Sequence, residues 1–300
     1  MLNQFLKTRY PGDSGWQIKV REFVESLCRK HIELRLADQN FESRLCSGDE
    51  AQFWQRFSEA LLAHELLDVG LDLQPSRNGP DVLIRHEGRK IWVEVICPEP
   101  CGIPDDWLSA RCESFTCVSF PHEAILLRWT AAIKEKAEKL WGYLEKGVVS
   151  PDDSYVIAVN GRMLRNTFGD LFGISQLPFA VEAVFAVGPY KLVIDRATSQ
   201  VVDRTHQHRP IIPKNGSPCV PATMFQNPMF KAVSAIWATD IDDCGVVGRP
   251  KGMLVVHNPI AVNPIPEGLL PATSEYVASD GIEGEYLISI REGRLAADHQ

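Results

Sequence analysis

The sequence of 300 residues has little that would suit a membrane or secreted protein. It contains no run of about 18 consecutive apolar residues, the length that a membrane-spanning helix needs. Its first segment, MLNQFLKTRYPGDSGWQIKV, has no apolar stretch of the length found in a secretory signal peptide. We therefore expect a protein that resides in the cytoplasm and does not cross a membrane.

Cysteine is too sparse for a domain held together by disulfide bonds. The chain has 8 cysteines, none of them in a Cys-x-x-Cys pair, and a cytoplasmic protein would keep them reduced. Cys97, Cys101, Cys112 and Cys117 come closest to the spacing of zinc ligands. We expect most cysteines to be small core residues, and a zinc site at these four positions is the weaker alternative.

A general excess of positive charge is missing as well. The 31 lysines and arginines are outnumbered by 39 aspartates and glutamates, which gives a formal net charge of −8. Proteins that wrap duplex nucleic acid neutralise its phosphates with a basic face. Any contact with nucleic acid must therefore use a local patch, such as the lysines between residues 134 and 146.

The sequence does contain the alternating pattern of an α/β protein, with 45% hydrophobic residues. Apolar residues at helical spacing predict helices over residues 15–36, 49–70 and 122–147. Short apolar runs bounded by turn residues predict strands near residues 71–74, 81–85, 91–97 and 154–161. The order helix, three strands, helix, strand therefore spans residues 50–161.

The rest of the chain is predicted to add to this core. We divide the sequence into an N-terminal helical extension (1–48), a core (49–165) and a C-terminal α/β extension (166–300). Further strands are predicted in the last part at VEAVFAV, YKLVIDRATSQVV, SAIWATD and GMLVVHNP. We expect these strands to extend or cover the sheet of the core, with a hairpin turn near Gly188.

The two strands around HEGR form a predicted hairpin that brings two acidic residues together. If Arg85 pairs with Lys90, Asp81 lies opposite Glu94 on the same face of the sheet. Directly opposed Cβ atoms lie about 4.5–5.5 Å apart, so the two carboxylates can hold one divalent ion. Without a cation or a nearby lysine, the like charges repel. The alternative is that Asp81 caps a strand after Pro80 and that Glu94 points to solvent.

Pro80-Asp81 and Glu94, within this order of elements, resemble the PD-(D/E)xK nuclease superfamily, which has the restriction-endonuclease-like fold. The resemblance covers residues 50–161. It implies a mixed central sheet flanked by helices and a metal-dependent phosphodiesterase acting on nucleic acid, with DNA favoured over RNA. Several segments are similar to those of uncharacterised bacterial members of that superfamily: FWQRFSEALLAHELLDVG, RWTAAIKEK, YVIAVNG and VVHNPIAVNPIP.

The resemblance also implies the residues of the site. Asp81, Glu94 and the backbone carbonyl of Ile96 would bind Mg²⁺ or Mn²⁺, and an acidic residue of the preceding helix would complete the site. Similarity to the superfamily favours Glu59 for this acid, whereas helical periodicity favours Glu65, which lies nearer the apolar stripe.

The chain departs from the superfamily pattern at Ile96, where other members have a lysine that helps to activate the attacking water. Some members supply that amine from the following helix. Lys136 lies about 60° from the centre of the apolar stripe of that helix, whereas Lys134 and Lys139 lie about 100–120° away. Lys136 is therefore the predicted catalytic lysine. The alternative is a lysine that lays its stem along apolar surface.

Three further polar features are expected to be structural. Arg128 is predicted to be a surface arginine and Asn160 a turn residue at the end of its strand. The segment DIDDCG (240–245) is expected to form an acidic turn rather than a cation site.

Two alternatives to a nuclease remain open. One is a degenerate member of the same fold that binds without cutting, which Ile96 and the acidic balance favour. The other is a structural α/β protein.

Overall fold

The computed structural model describes residues 1–76, 78–109, 119–166, 169–214, 217–281 and 286–295. Its helices are α1 (Leu2–Arg9), α2 (Gly15–Glu33), α3 (Phe41–Leu45), α4 (Glu50–Asp68), α5 (Asp105–Leu108), α6 (His122–Glu145) and α7 (Phe179–Phe185). Its strands are β1 (Asp72–Gln74), β2 (Val82–His86), β3 (Arg89–Ile96), β4 (Ser154–Asn160), β5 (Val187–Ile194), β6 (Val201–His208), β7 (Ile211–Lys214), β8 (Ser217–Pro221), β9 (Ala235–Asp240), β10 (Gly252–His257), β11 (Ser274–Asp280) and β12 (Tyr286–Glu292). Among these described residues, no helix combines the length and apolar character needed to span a bilayer.

A large mixed sheet, flanked by helices, forms the centre of this α/β protein. Its strand order is β1-β2-β3-β4-β9-β10-β11-β12. β1, β2 and β3 are antiparallel neighbours, and β3, β4 and β9 run parallel. The pairs β5–β6 and β7–β8 form separate two-stranded ribbons. The strands after β8 therefore extend the sheet that the first four strands begin, as expected from the sequence.

Alternation of side chains along β3 divides the core into two layers. Val93 and Val95 pack with α1 to α4 on one face of the sheet. Trp92 and Ile96 pack with α6 and α7 on the opposite face. Because Glu94 has the same parity as Trp92 and Ile96, its carboxylate projects into the layer that contains α6.

The two long helices that flank β3 agree with the predicted ones to within a few residues. α4 begins after Asp49, whose side chain accepts a hydrogen bond from the backbone nitrogen of Gln52 at 2.9 Å. Phe53 and Phe57 of α4 are buried, as are Trp129 and Ile133 of α6. α4 is buried on more than one side because it lies between the other N-terminal helices and the sheet.

Two predictions for the C-terminal half are wrong. The segment VEAVFAV belongs mostly to α7 rather than to a strand, and every residue of α7 is buried. An apolar run without polar positions does not distinguish a buried helix from a buried strand. The hairpin turn is not near Gly188, because the chain reverses between β5 and β6. A Cβ at Gly188 would lie 2.9 Å from the carbonyl oxygen of Gln207, so this glycine permits the close approach of β6.

The β2–β3 hairpin has the predicted register. Arg85 pairs with Lys90, and the strands are joined by Glu87 and Gly88. These two residues have φ values of 49° and 79°, the left-handed conformation that a two-residue type I′ turn requires. The turn therefore determines which residues of β2 and β3 face each other, including those near Glu94.

We expect Gly88→Ala to lower the free energy of unfolding by about 1–2 kcal/mol, because an L-residue in the left-handed region is strained by about that amount. No atom lies within 4 Å of a Cβ built at Gly88, so the cost comes from the backbone alone. Urea denaturation measures it. Gly15→Ala is the control, because Gly15 also has open space but no positive φ. Equal stability of the two variants would contradict the assigned turn.

Candidate functional site

Glu94 is a charged residue within a buried strand, with an exposed fraction of 0%. Its Oε1 accepts hydrogen bonds from Lys136 Nζ at 3.0 Å and from Lys139 Nζ at 2.5 Å. Its Oε2 accepts one from the hydroxyl of Tyr143 at 3.2 Å. A buried carboxylate is tolerated when it is paired and hydrogen-bonded, and α6 supplies these partners. The alternative in which Glu94 points to solvent is wrong.

The partners of Glu94 lie on one face of α6. Lys136, Lys139 and Tyr143 are spaced by three and four residues, which places them in line along a helix. The angular position of Lys139 on the helix did not indicate its contact with Glu94. Its flexible stem brings the ammonium back towards the sheet. Its side chain is 47% exposed, so it reaches Glu94 from the solvent side. Burial lowers the pKa of Lys139, but the negative charges of Glu94, Asp81 and Glu59 together raise it above its ordinary value.

Asp81 immediately precedes β2 and contacts the strand that carries Glu94. Its Oδ2 accepts a hydrogen bond from the backbone nitrogen of Val95 at 2.7 Å. The ladder between β2 and β3 begins at Val82 and Val93, so Asp81 contributes its side chain rather than a backbone pair. The carboxyl group of Asp81 is therefore held against β3, next to Glu94.

Glu59 of α4 is the acidic residue that the structure places beside Asp81. It is nearly buried, and it accepts hydrogen bonds from Gln55 Nε2 at 3.0 Å and from Arg56 Nη1 at 2.9 Å. Glu65, which helical periodicity favoured, pairs instead with Lys251 at 2.5 Å. Periodicity reports which residues are buried, but it does not report which neighbour a buried carboxylate meets.

These side chains surround a polar cleft with a volume of about 280 Å³. Of the residues predicted from the sequence, Asp81, Glu59, Ile96 and Lys136 line it, and Glu94 lies beneath Lys136. The cleft also contains polar residues that the sequence did not indicate as site residues: Gln52, Gln55, Arg56, Glu99 and Lys139. Metal binding by the Ile96 carbonyl and a catalytic role for Lys136 stay predictions.

Gln55 connects the helix that carries Glu59 to the strand that carries Glu94. Its Nε2 donates to the carbonyl oxygen of Val95 at 3.1 Å, and its Oε1 accepts from the backbone nitrogen of Cys97 at 2.9 Å. One amide thus satisfies two backbone groups at the end of β3, where the sheet provides no further partner on that side. The relative position of the three carboxyl groups depends on this contact.

The carboxyl groups of the cleft repel one another. Burial raises the pKa of Asp81 well above its usual range, and the negative charges of Glu94 and Glu59 raise it further. Burial also raises the pKa of Glu59, although Arg56 opposes the effect. A divalent cation would stabilise the ionised forms of these groups. Carboxylate oxygens are the ligands that Mg²⁺ and Mn²⁺ prefer, so the donor chemistry fits such an ion. Among the described residues, however, the oxygens of these three carboxyl groups do not all lie within 4.8 Å of one another, unlike the possible ligand atoms of residues 242–244.

The acidic turn after β9 is neutralised by arginines. Asp242, Asp243 and Cys244 bring possible ligand atoms within 4.8 Å of one another. The carboxylate of Asp242 pairs, at distances of 3.0, 3.3 and 2.6 Å, with Arg162, Arg165 and Arg249. These cations already balance the charge that a metal would balance. The expectation of an acidic turn agrees with these contacts.

The remaining candidate residues have structural contacts. Arg128 is not a free surface arginine, because it lines the cleft and its Nε donates to the Glu99 carbonyl oxygen at 2.7 Å. Asn160 is fully buried, and its Nδ2 donates to Ser58 Oγ at 2.9 Å. Cys97 is buried and Cys101 is exposed, whereas Cys112 and Cys117 lie outside the described residues.

No family model, curated protein or solved structure matches this chain. The likeness to the PD-(D/E)xK superfamily therefore rests on the motif residues and on the order of the elements that carry them. The geometry of the cleft is an observation independent of that likeness.

We expect Asp81→Asn to stabilise the metal-free protein at pH 8 by about 1 kcal/mol, because it removes a negative charge that faces Glu94 and Glu59. The folded-state pKa of Asp81 lies above its ordinary value of 3.8. The favourable contribution of Asp81 to the free energy of unfolding is therefore fully present below pH 3.8 and is lost as the pH rises through the raised pKa. Urea unfolding in EDTA between pH 5 and 8 measures the difference.

Asp72→Asn is the control for this comparison, because Asp72 lies exposed on β1 of the same sheet. Its effect should stay within about 0.5 kcal/mol. A destabilised Asp81→Asn protein at pH 8 would show that the charge of Asp81 is favourable in the metal-free state.

Proposed function

We propose that the chain is a metal-dependent phosphodiesterase that hydrolyses nucleic acid, with a restriction-endonuclease-like core formed by α4, β1 to β3, α6 and β4. The observation that carries this proposal is that Asp81, Glu59 and Lys136 line one cleft, while the buried Glu94 accepts a hydrogen bond from Lys136. Asp81, Glu94, Glu59 and Lys136 come from separate parts of the fold, and the resemblance to the superfamily had favoured these four residues for one site.

The chemistry follows from the groups that line the cleft. Asp81, Glu94 and the Ile96 carbonyl would hold Mg²⁺ or Mn²⁺, with Glu59 beside them. Such an ion lowers the pKa of a bound water and stabilises negative charge on a phosphate. Lys136 is placed to orient the water and to offset charge near Glu94. Preorganised charges of this kind are most effective in a site from which bulk water is excluded.

The departure at Ile96 is compatible with this chemistry because α6 supplies two amines. Lys136 Nζ lies 3.0 Å from Glu94 Oε1, which is the carboxylate that a lysine at position 96 would have accompanied. Ile96 lines the cleft with an apolar side chain, so β3 itself supplies no amine there. In the proposed site, an amine from the following helix would replace the one missing from the strand.

Nucleic acid is the proposed partner, with DNA favoured over RNA. The net charge of −8 argues against a general basic surface. In the cleft, the cations of Arg56, Arg128, Lys136 and Lys139 are matched by the carboxyl groups of Glu59, Asp81, Glu99 and Glu135. These few cations, together with a bound metal ion, would suit a single stretch of phosphate backbone better than a wrapped duplex.

A second candidate is a nuclease-like protein that binds without cutting. The contacts of Glu94 favour it, since two ammonium groups and a tyrosine hydroxyl already occupy the carboxylate that would bind the metal. A metal would have to compete with Lys139 for Oε1. Metal titration and cleavage assays separate the two candidates.

Isothermal titration with Mn²⁺ is expected to show one binding site in the wild type and none in Asp81→Asn, because that substitution removes a charged ligand. Lys139→Gln should bind Mn²⁺ more tightly than the wild type, since its ammonium no longer competes for Glu94. Asp72→Asn serves as the control and should bind as the wild type does. Undiminished binding by Asp81→Asn would exclude the cleft as the metal site.

Cleavage of single- and double-stranded DNA and RNA in Mg²⁺ or Mn²⁺ tests the activity itself. We expect Glu94→Gln and Lys136→Met each to lower the rate by about 100-fold or more, as loss of a charge-stabilising group does. Lys134→Met is the matched control, because Lys134 lies on the same helix and pairs with Glu138. Equal activity in the wild type and Glu94→Gln would identify a contaminating nuclease, and metal binding without cleavage would favour the second candidate.

A further inference from the structure

A second recess, the aromatic pocket, lies beside the cleft and has a volume of about 160 Å³. Aromatic and aliphatic side chains line it, among them Trp107, Phe120, Trp129 and Phe172, together with the charged residues Arg165, Asp170 and Asp240. None of these residues lines the cleft. The proposed chemistry therefore leaves this pocket without a role.

The aromatic pocket and the cleft open at the same edge of the sheet. Ile96 at the end of β3 lines the cleft, whereas Gly161 after β4 and Asp240 at the end of β9 line the pocket. Because β3, β4 and β9 are parallel neighbours, two strand spacings of about 4.8 Å separate β3 from β9. Arg128 faces the cleft and the next residue, Trp129, faces the pocket, so α6 separates the two recesses.

The rim of the aromatic pocket presents rings to solvent. Phe120 and Phe172 are 40% and 41% exposed, and the ring centroids of Trp107 and Phe120 lie 5.3 Å apart. Exposed aromatic rings that border a recess form a surface on which a planar ring can stack. A pocket of this size suits one small ring system rather than a larger ligand.

Polar groups in the pocket complement such a ring. Asp240 is buried and accepts from Arg165 through Oδ1, so Oδ2 is the oxygen that a ligand would use. Arg165 is shared between Asp240 and Asp242, and Asp170 adds a second carboxylate to the pocket wall. The complementary ligand is therefore planar and donates hydrogen bonds.

We propose that the aromatic pocket binds an unpaired nucleobase that carries an exocyclic amino group, so that the substrate is a single strand or a strand with an extruded base. The inference rests on the proposed nuclease function for the identity of the polymer. Asp240 would accept from the amino group through Oδ2, and guanine presents a second donor, N1–H, on the same edge. In a duplex that edge is occupied by base pairing, which keeps a paired base out of the pocket.

The distance between the recesses sets the position of the recognised base. About 10 Å separates the ends of β3 and β9 by strand spacing, and a stacked strand advances about 3.4 Å per nucleotide. The bound base would therefore lie within about three nucleotides of the phosphate in the cleft.

Fluorescence anisotropy with labelled single-stranded hexanucleotides tests this inference. The probes are an all-thymine strand and the same strand with one guanine, in EDTA and with the Asp81→Asn protein to prevent hydrolysis. We expect the guanine strand to bind more tightly. Phe172→Ala should weaken its binding by about 5- to 100-fold, the range for loss of one base–aromatic stack. Trp16→Ala, which removes an exposed ring from α2, should have no effect.

The two proposals fail in different ways. Equal binding of both strands, unchanged by Phe172→Ala, would overturn the nucleobase pocket even if the wild type cleaves nucleic acid. Guanine-dependent binding that Phe172→Ala abolishes, in a protein that cleaves nothing with Mg²⁺ or Mn²⁺, would support the pocket and refute the nuclease. Tighter binding of a trimethyllysine peptide than of either strand would also overturn the inference, because it would identify a cation cage.

Discussion

The ion pairs between Glu94 of β3 and the lysines of α6 are the interactions on which the candidate site depends. An unpaired carboxylate at this depth would be strongly destabilising, so helix and strand must keep the positions that pair it. The hairpin register fixes the position of β2 relative to β3, so Asp81 lies beside Glu94. On the other face, Gln55 ties α4 to the end of β3 and brings Glu59 to the same cleft.

This arrangement concentrates negative charge in a place where it is unfavourable. The raised pKa of Asp81 has burial and two neighbouring carboxylates as its causes, and one lysine only partly opposes them. A protein selected for stability alone would replace such a cluster with apolar residues, which often costs nothing or is stabilising. Clusters of this kind are typical of functional sites, where a locally unfavourable arrangement of charges is offset by favourable interactions elsewhere in the structure.

The position of the two recesses agrees with a general property of open α/β sheets, in which ligands bind beyond the carboxyl ends of parallel strands. β3, β4 and β9 supply those ends, and α6 lies across them with Arg128 directed to one recess and Trp129 to the other. One helix thus contributes the amines beside Glu94 and a wall of the aromatic pocket. This shared helix is the physical basis for treating the two recesses as parts of one surface.

The sequence by itself determined the features that depend on neighbours along the chain. Helical periodicity predicted α4 and α6, and the pairing of Arg85 with Lys90 followed from the position of the turn between the two strands, because both are set by backbone geometry. Only the tertiary structure decided that Glu59 rather than Glu65 lines the cleft, that Lys139 reaches Glu94, and that VEAVFAV folds as a helix. These outcomes depend on distances between elements far apart in sequence, which packing sets and local patterns do not record.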